Sequence, residues 1–144
     1  MLRNFAIQDI EAPKLNQQSP EQLQSTLRAM LKDLTNNSPI LGAAIFSVEG
    51  LPYASHFYGG TEEVTIAAMV AGMYGAGELS VKELKQGNLK SIIVEGDYGK
   101  TVVIAITEGY LLTVTAPENA KLGLVFNDSK RFAREAGKLL RGLI

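Results

Sequence analysis

The chain has 144 residues, a formal charge of −1, 46% hydrophobic and 20% charged side chains, the composition of one globular domain that can bury a core without crosslinks. The lack of cysteine excludes disulfide scaffolds, thiolate metal sites and thiol nucleophiles, and the near-neutral charge gives no global reason to expect nucleic acid. No secretory apolar stretch opens the sequence, so a cytoplasmic protein is the expectation.

Residues 1–18 read as an N-terminal extension that docks or moves, because Pro13 and Asn16-Gln17-Gln18 interrupt the apolar Leu2, Phe5, Ile7 and Ile10. Residues 19–144 are the expected domain. Ser19-Pro20-Glu21-Gln22 predicts a helix start, with a serine cap, proline in the first turn and glutamine placed for a capping box. Leu23, Leu27, Met30, Leu31 and Leu34 then recur at helical spacing until Asn36-Asn37-Ser38-Pro39. The nearly continuous apolar run Ile40–Val48 predicts a strand covered on both faces. A second strand is expected over Leu51–Tyr58 after the Glu49-Gly50 turn, and Pro52 confines it to a sheet edge or delays its start.

A middle helix is expected from Thr61, with Glu62 and Glu63 in its first turn and a body, Val64–Gly77, that is apolar on every side. Read as fourteen residues, that body is shorter than the ~20 a bilayer requires, which argues against a membrane span. After the polar 80–88 stretch, strands are expected at Leu89–Glu95, Thr101–Thr107 and Tyr110–Thr115. A closing helix follows, with Leu122, Val125, Ser129, Phe132, Ala136 and Leu140 as its stripe. The order is α-β-β-α-β-β-β-α. Five antiparallel strands with both faces apolar require helices on both sides, the first and last on one face and the middle helix on the other.

The chemistry-bearing residues are sparse. His56 is the one histidine, and no carboxylate or hydroxyl stands at a diagnostic spacing from it, so neither a catalytic nor a metal role is expected. Gly96-Asp97-Tyr98-Gly99-Lys100-Thr101 looks like the end of a phosphate-binding loop, but the β-branched run after it predicts a strand, and the segment reads as a hairpin turn. No catalytic residue, cofactor or metal is expected. Residues 121–144 hold six basic and two acidic side chains, net +4, against −5 for the remainder. Complementing the helix dipole and solvating an outer face accounts for most of that asymmetry.

The middle helix is the informative element. Glycine inside a helix costs ~1 kcal/mol relative to alanine, yet Gly72, Gly75 and Gly77 cluster there. Val64, Ala68, Ala71 and Gly75 form a narrow small-residue stripe, and Ile66, Met69, Val70 and Met73 a bulkier side. One side packs on the chain's own sheet. No remaining element covers the other, which points to a second copy of the same helix, unless the glycines serve only close packing on the sheet. The expected homodimer interface is Val64, Ala68, Ala71, Gly72 and Gly75 with the third strand, Ser91, Ile92, Ile93 and Val94, at an edge that needs covering. Met69, Met73, Tyr74 and Glu78 are the expected outward flank for a further partner.

The segments ILGAAIFSVEGLPYAS (Ile40–Ser55), AAMVAGMYGAGELS (Ala67–Ser80), NLKSIIVEGDYGKTVVIAI (Asn88–Ile106) and ENAKLGLV (Glu118–Val125) together resemble the Roadblock (dynein light chain) domain family, including prokaryotic regulators of Ras-like GTPases. The resemblance implies a Roadblock/profilin-like α/β sandwich that dimerises through the middle helix and third strand. It also implies a non-catalytic platform for a small Ras-like GTPase or for scaffolds, with no family catalytic residue to carry over. The alternatives are a small-ligand sensor or hydrolase with a pocket near His56 and Gly59-Gly60, and a scaffold or nucleic-acid contact using the basic closing helix. The expectation remains no nucleic acid and no membrane insertion.

Overall fold

The computed structural model describes residues 18–57 and 62–142. The N-terminal extension up to residue 17, the Gly59-Gly60 loop and the expected helix start at Thr61 lie outside the described residues. Eight elements follow in the expected order: α1 (Pro20–Asn37), β1 (Gly42–Ser47), β2 (Pro52–His56), α2 (Glu63–Glu83), β3 (Ser91–Gly96), β4 (Gly99–Ala105), β5 (Tyr110–Pro117) and α3 (Leu122–Leu140). The strands make one antiparallel sheet in the order β2-β1-β5-β4-β3.

Local sequence explains the boundaries. Ser19 accepts a hydrogen bond from the Gln22 backbone N–H, and the Gln22 side chain accepts one from the Ser19 N–H, so the capping box forms as the spacing requires. Pro52 opens β2, which is an edge strand, where its missing N–H costs no ladder bond. Gly50 turns the chain between β1 and β2 with φ +95°, a conformation that favours glycine. Gly96 and Gly99 pair across the β3–β4 ladder with Asp97-Tyr98 at its tip, so the glycine-rich segment is a hairpin.

α2 is longer than the sequence suggested. It runs for 21 residues and ends beyond Ser80, just before left-handed Lys85 and Gly87. Glu78, Leu79, Lys82 and Glu83 continue the helix because each is a good helix former; polarity alone does not stop it. This corrects the length argument against a membrane span, since the full helix is long and apolar enough to cross a bilayer by length and composition.

The two faces of the sheet are covered unequally. On one, α1 and α3 press Leu27, Leu31, Leu34, Val125, Phe132 and Ala136 against Ile45, Val102, Ile104, Leu112 and Val114. The Ser38 hydroxyl donates to Asp128 Oδ2 at 2.6 Å, tying the end of α1 to α3. On the other face, among the described residues, α2 alone sets Ala67 and Val70 over Ala44, Phe46, Val103 and Leu111. Gly42 leaves room there for the Phe57 ring: a Cβ on it would come within 2.3 Å of Phe57 Cδ1. Thr113 sits deep under this layer, and its hydroxyl has no hydrogen-bond partner among the described residues.

Candidate functional site: the outer face of α2 and the β3 edge

α2 lies across the sheet with only Ala67 and Val70 fully buried. Ile66, Met73 and Tyr74 are half-buried against the same core layer. The side turned away from the sheet is apolar and open: Val64 is 68% exposed, Met69 60% and Leu79 68%. Ala68 and Gly72 are exposed between them, and Ala71 and Gly75 are half-buried at the margin. A helix with this much apolar surface toward solvent is unusual in a lone soluble domain.

The glycines divide into two kinds. A Cβ on Gly77 would stand 2.9 Å from Leu89 Cδ2 and 3.3 Å from Ile92 Cδ1, so this glycine permits close packing within the chain. Among the described residues, a Cβ on Gly72 or Gly75 would meet nothing within 4 Å beyond the surrounding helix backbone. Packing within the protomer therefore explains Gly77 and leaves Gly72 and Gly75 unexplained.

β3 forms the other half of the surface. It is the sheet edge opposite β2, and its outer hydrogen-bonding groups are unpaired among the described residues. Ser91 and Ile92 are half-buried, and Ile93 and Val94 are 42% and 41% exposed. Pairing with β4 puts Ile92 and Val94 on the α2 face, so the exposed edge and the apolar helix belong to the same side of the molecule.

The four residues expected to flank this surface separate. Met69 and Glu78 are exposed, whereas Met73 and Tyr74 pack toward the sheet. Tyr74 and Glu78 instead line a cleft of about 460 Å³ between the second half of α2, the loop to β3 and the β4–β5 turn. Burial first, and the Glu78 carboxylate second, push the Tyr74 hydroxyl above its usual pKa. The cleft was not legible in the sequence, since its walls come from three separated segments. His56 is half-buried on β2 opposite Ala43, on the side of α1 and α3 and away from α2. Among the described residues, no three His, Asp or Glu side chains are grouped to hold a metal.

The fold agrees with what the chain is similar to. The profile of the Roadblock/LC7 domain matches residues 26–116, well over half of the sequence. The chain belongs to the Roadblock/LC7 family. An uncharacterised protein of Methanocaldococcus jannaschii, MJ1340, is 30% identical over 106 residues, covering 74% of this chain and 92% of the relative. Myxococcus xanthus MglB superposes with a TM-score of 0.79 at 18% identity, covering 84% of this chain and 92% of that one. An MglB solved in a tetrameric arrangement gives 0.76 at 19% identity, with 88% and 94% covered. At these identities the two structures establish the fold. The matched segment of this Roadblock/LC7 chain runs from the middle of α1 to the end of β5 and contains the whole of α2 and β3.

Proposed function

We propose that this Roadblock/LC7 protein is a cytoplasmic homodimer that serves as a non-catalytic platform for a small Ras-like GTPase. The observation that carries the reading is the apolar outer side of α2, with two glycines the protomer does not need, beside a free β3 edge. Two copies meeting there through Val64, Ala68, Ala71, Gly72, Gly75 and β3 residues 91–94 bury the helix surface and continue the sheet. Family membership supports the GTPase as partner, and the tetrameric MglB neighbour supports assembly beyond one chain. α2 acts here as a protein-facing helix: its inner side is seated on the sheet through Ala67 and Val70, which a membrane span would have to leave. On this reading the chain inserts neither a base nor an arginine finger, and any effect on hydrolysis runs through the GTPase's own loops.

The test has two steps. Sedimentation at micromolar concentration is expected to give a dimer, and a single-chain species throughout refutes the interface. Small GTPases from the same genome, loaded with GDP or a GTP analogue, are then mixed with wild type and with Met69→Asp. Met69 is the probe of that flank, since Met73 packs into the core layer, where a charge endangers the fold. Binding lost in Met69→Asp with the dimer retained supports docking on the helix pair. Undiminished binding places the partner elsewhere.

A further inference from the structure

α3 carries two adjacent polar stripes, and only one is neutralised. Its two carboxylates are each taken up one turn away: Arg131 pairs with Asp128 and Lys138 with Glu135, both at 3.3 Å. The neighbouring stripe holds Lys130 and Arg134 and continues to Arg141 at the helix end, positions i, i+4 and i+11, which share a face. None of these three makes an ion pair among the described residues. The helix dipole explains a cation in the last turn, whereas Lys130 and Arg134 stand in the middle of the helix, beyond its reach.

The same three side chains border one concavity. A cleft of about 250 Å³ opens between α3 and the end of β4, with Ile104, Ile106 and Ala133 as its apolar lining and Lys130, Arg134 and Arg141 around it. Gly137 makes room for Arg141: a Cβ there would lie 3.0 Å from Arg141 Nη2 and 3.2 Å from Nη1, so the guanidinium lies back over the helix toward the turn that carries Arg134. Lys130 lies over the Phe126 ring, 5.2 Å from its centroid, with its ammonium at the surface. Three like charges on one cleft repel one another, and an anion relieves that repulsion.

We propose that this cleft binds a phosphate group. A phosphate monoester brings about two negative charges and three free oxygens to three cations, and guanidinium forks match phosphate oxygens in pairs. A carboxylate offers one charge and two oxygens. The apolar lining leaves room for the uncharged body to which the phosphate is attached. The site is on the face opposite α2, so it is independent of the dimer and GTPase reading.

The full chain is tested with inorganic phosphate against chloride at matched ionic strength, followed by melting temperature and calorimetry. It is also tested with phosphatidylcholine vesicles lacking or containing phosphatidic acid, whose headgroup is a phosphate monoester, followed by co-sedimentation. Two variants of equal charge loss are compared, Arg134→Gln/Arg141→Gln in the cleft and Arg131→Gln/Lys138→Gln on the paired stripe. The cleft variant is expected to lose at least tenfold in affinity and the paired-stripe variant less than twofold. A response to inorganic phosphate identifies a soluble phosphate-bearing ligand, and a response to phosphatidic acid alone identifies a lipid headgroup; both support the cleft. Equal loss in the two variants reduces the effect to net charge and overturns the proposal, as does a wild type that answers phosphate no better than chloride and binds neither vesicle. Far-UV circular dichroism checks folding, and Lys130→Gln serves as the third probe if the double variant is unfolded.

Discussion

Replacing Gly72 and Gly75 by alanine separates what the protomer needs from what a second copy needs. In a helix interior glycine is ~0.8–1.0 kcal/mol less favourable than alanine. Among the described residues, neither added methyl meets an atom beyond the surrounding helix backbone within 4 Å, so no packing clash offsets the gain. The double variant is expected to stabilise an isolated protomer by ~1.5–2 kcal/mol, roughly 3–8 °C in melting temperature for a chain of this length. Gly77→Ala is the control: its methyl presses on Leu89 and Ile92, whose tips must give way, and the gain is cancelled.

In the proposed dimer the balance reverses. Two methyls on each helix hold apart surfaces that otherwise approach closely, and overpacking of this kind costs ~1–3 kcal/mol, a dimer about 5- to 150-fold weaker. Sedimentation velocity over a wide concentration range gives the dissociation constant, and urea unfolding at two protein concentrations gives the stability of each species. The expected result is a weaker dimer made of a sturdier protomer. A double variant that gains stability and dimerises as tightly as wild type refutes the small-residue contact.

Further outcomes follow from single contacts. Thr113→Val removes a buried hydroxyl without a partner among the described residues and is expected to raise stability by ~1 kcal/mol in urea unfolding. Asp128→Ala breaks the bond from Ser38 that joins α1 to α3 and is expected to cost ~1–2 kcal/mol by the same measurement. Burial raises the Tyr53 and Tyr74 hydroxyls above 10, so the folded state holds those protons longer than the unfolded chain; stability is expected to be level below pH ~10 and to fall as pH rises beyond it. Absorbance at about 295 nm is expected to show Tyr53 and Tyr74 titrating above the ordinary tyrosine value, and titration of both at or below that value refutes the burial. His56→Ala is expected to leave GTPase binding and dimerisation unchanged in the pull-down; a saturable activity abolished by it refutes the non-catalytic reading.

Legibility in the sequence followed the strength of local signals. The capping box at Ser19 and Gln22, the edge position forced by Pro52 and the hairpin at Gly96–Gly99 each rest on one or two residues with a single physical use. The end of α2 was misplaced because it is set by left-handed Lys85 and Gly87, while the apolar pattern stops several residues earlier. The same helix hid its orientation. When every side is apolar, periodicity cannot say which side meets the sheet, and Met73 and Tyr74 therefore looked as available as Met69.

The closing helix shows the complementary limit. Its charge excess and the i, i+3 partners of Asp128 and Glu135 stand in plain view in the sequence, and so does the unmatched Lys130–Arg134–Arg141 face. What no spacing reveals is that this face overhangs the end of β4, since contact between α3 and β4 is fixed by the packing of Val125, Phe132 and Ala136 against Val102 and Ile104. A stripe of cations on an open helix is solvated and worth little. The same stripe folded over an apolar hollow is a place where an anion can be held on several sides, which is why the tertiary contact, and not the charge count, turns a basic tail into a candidate site.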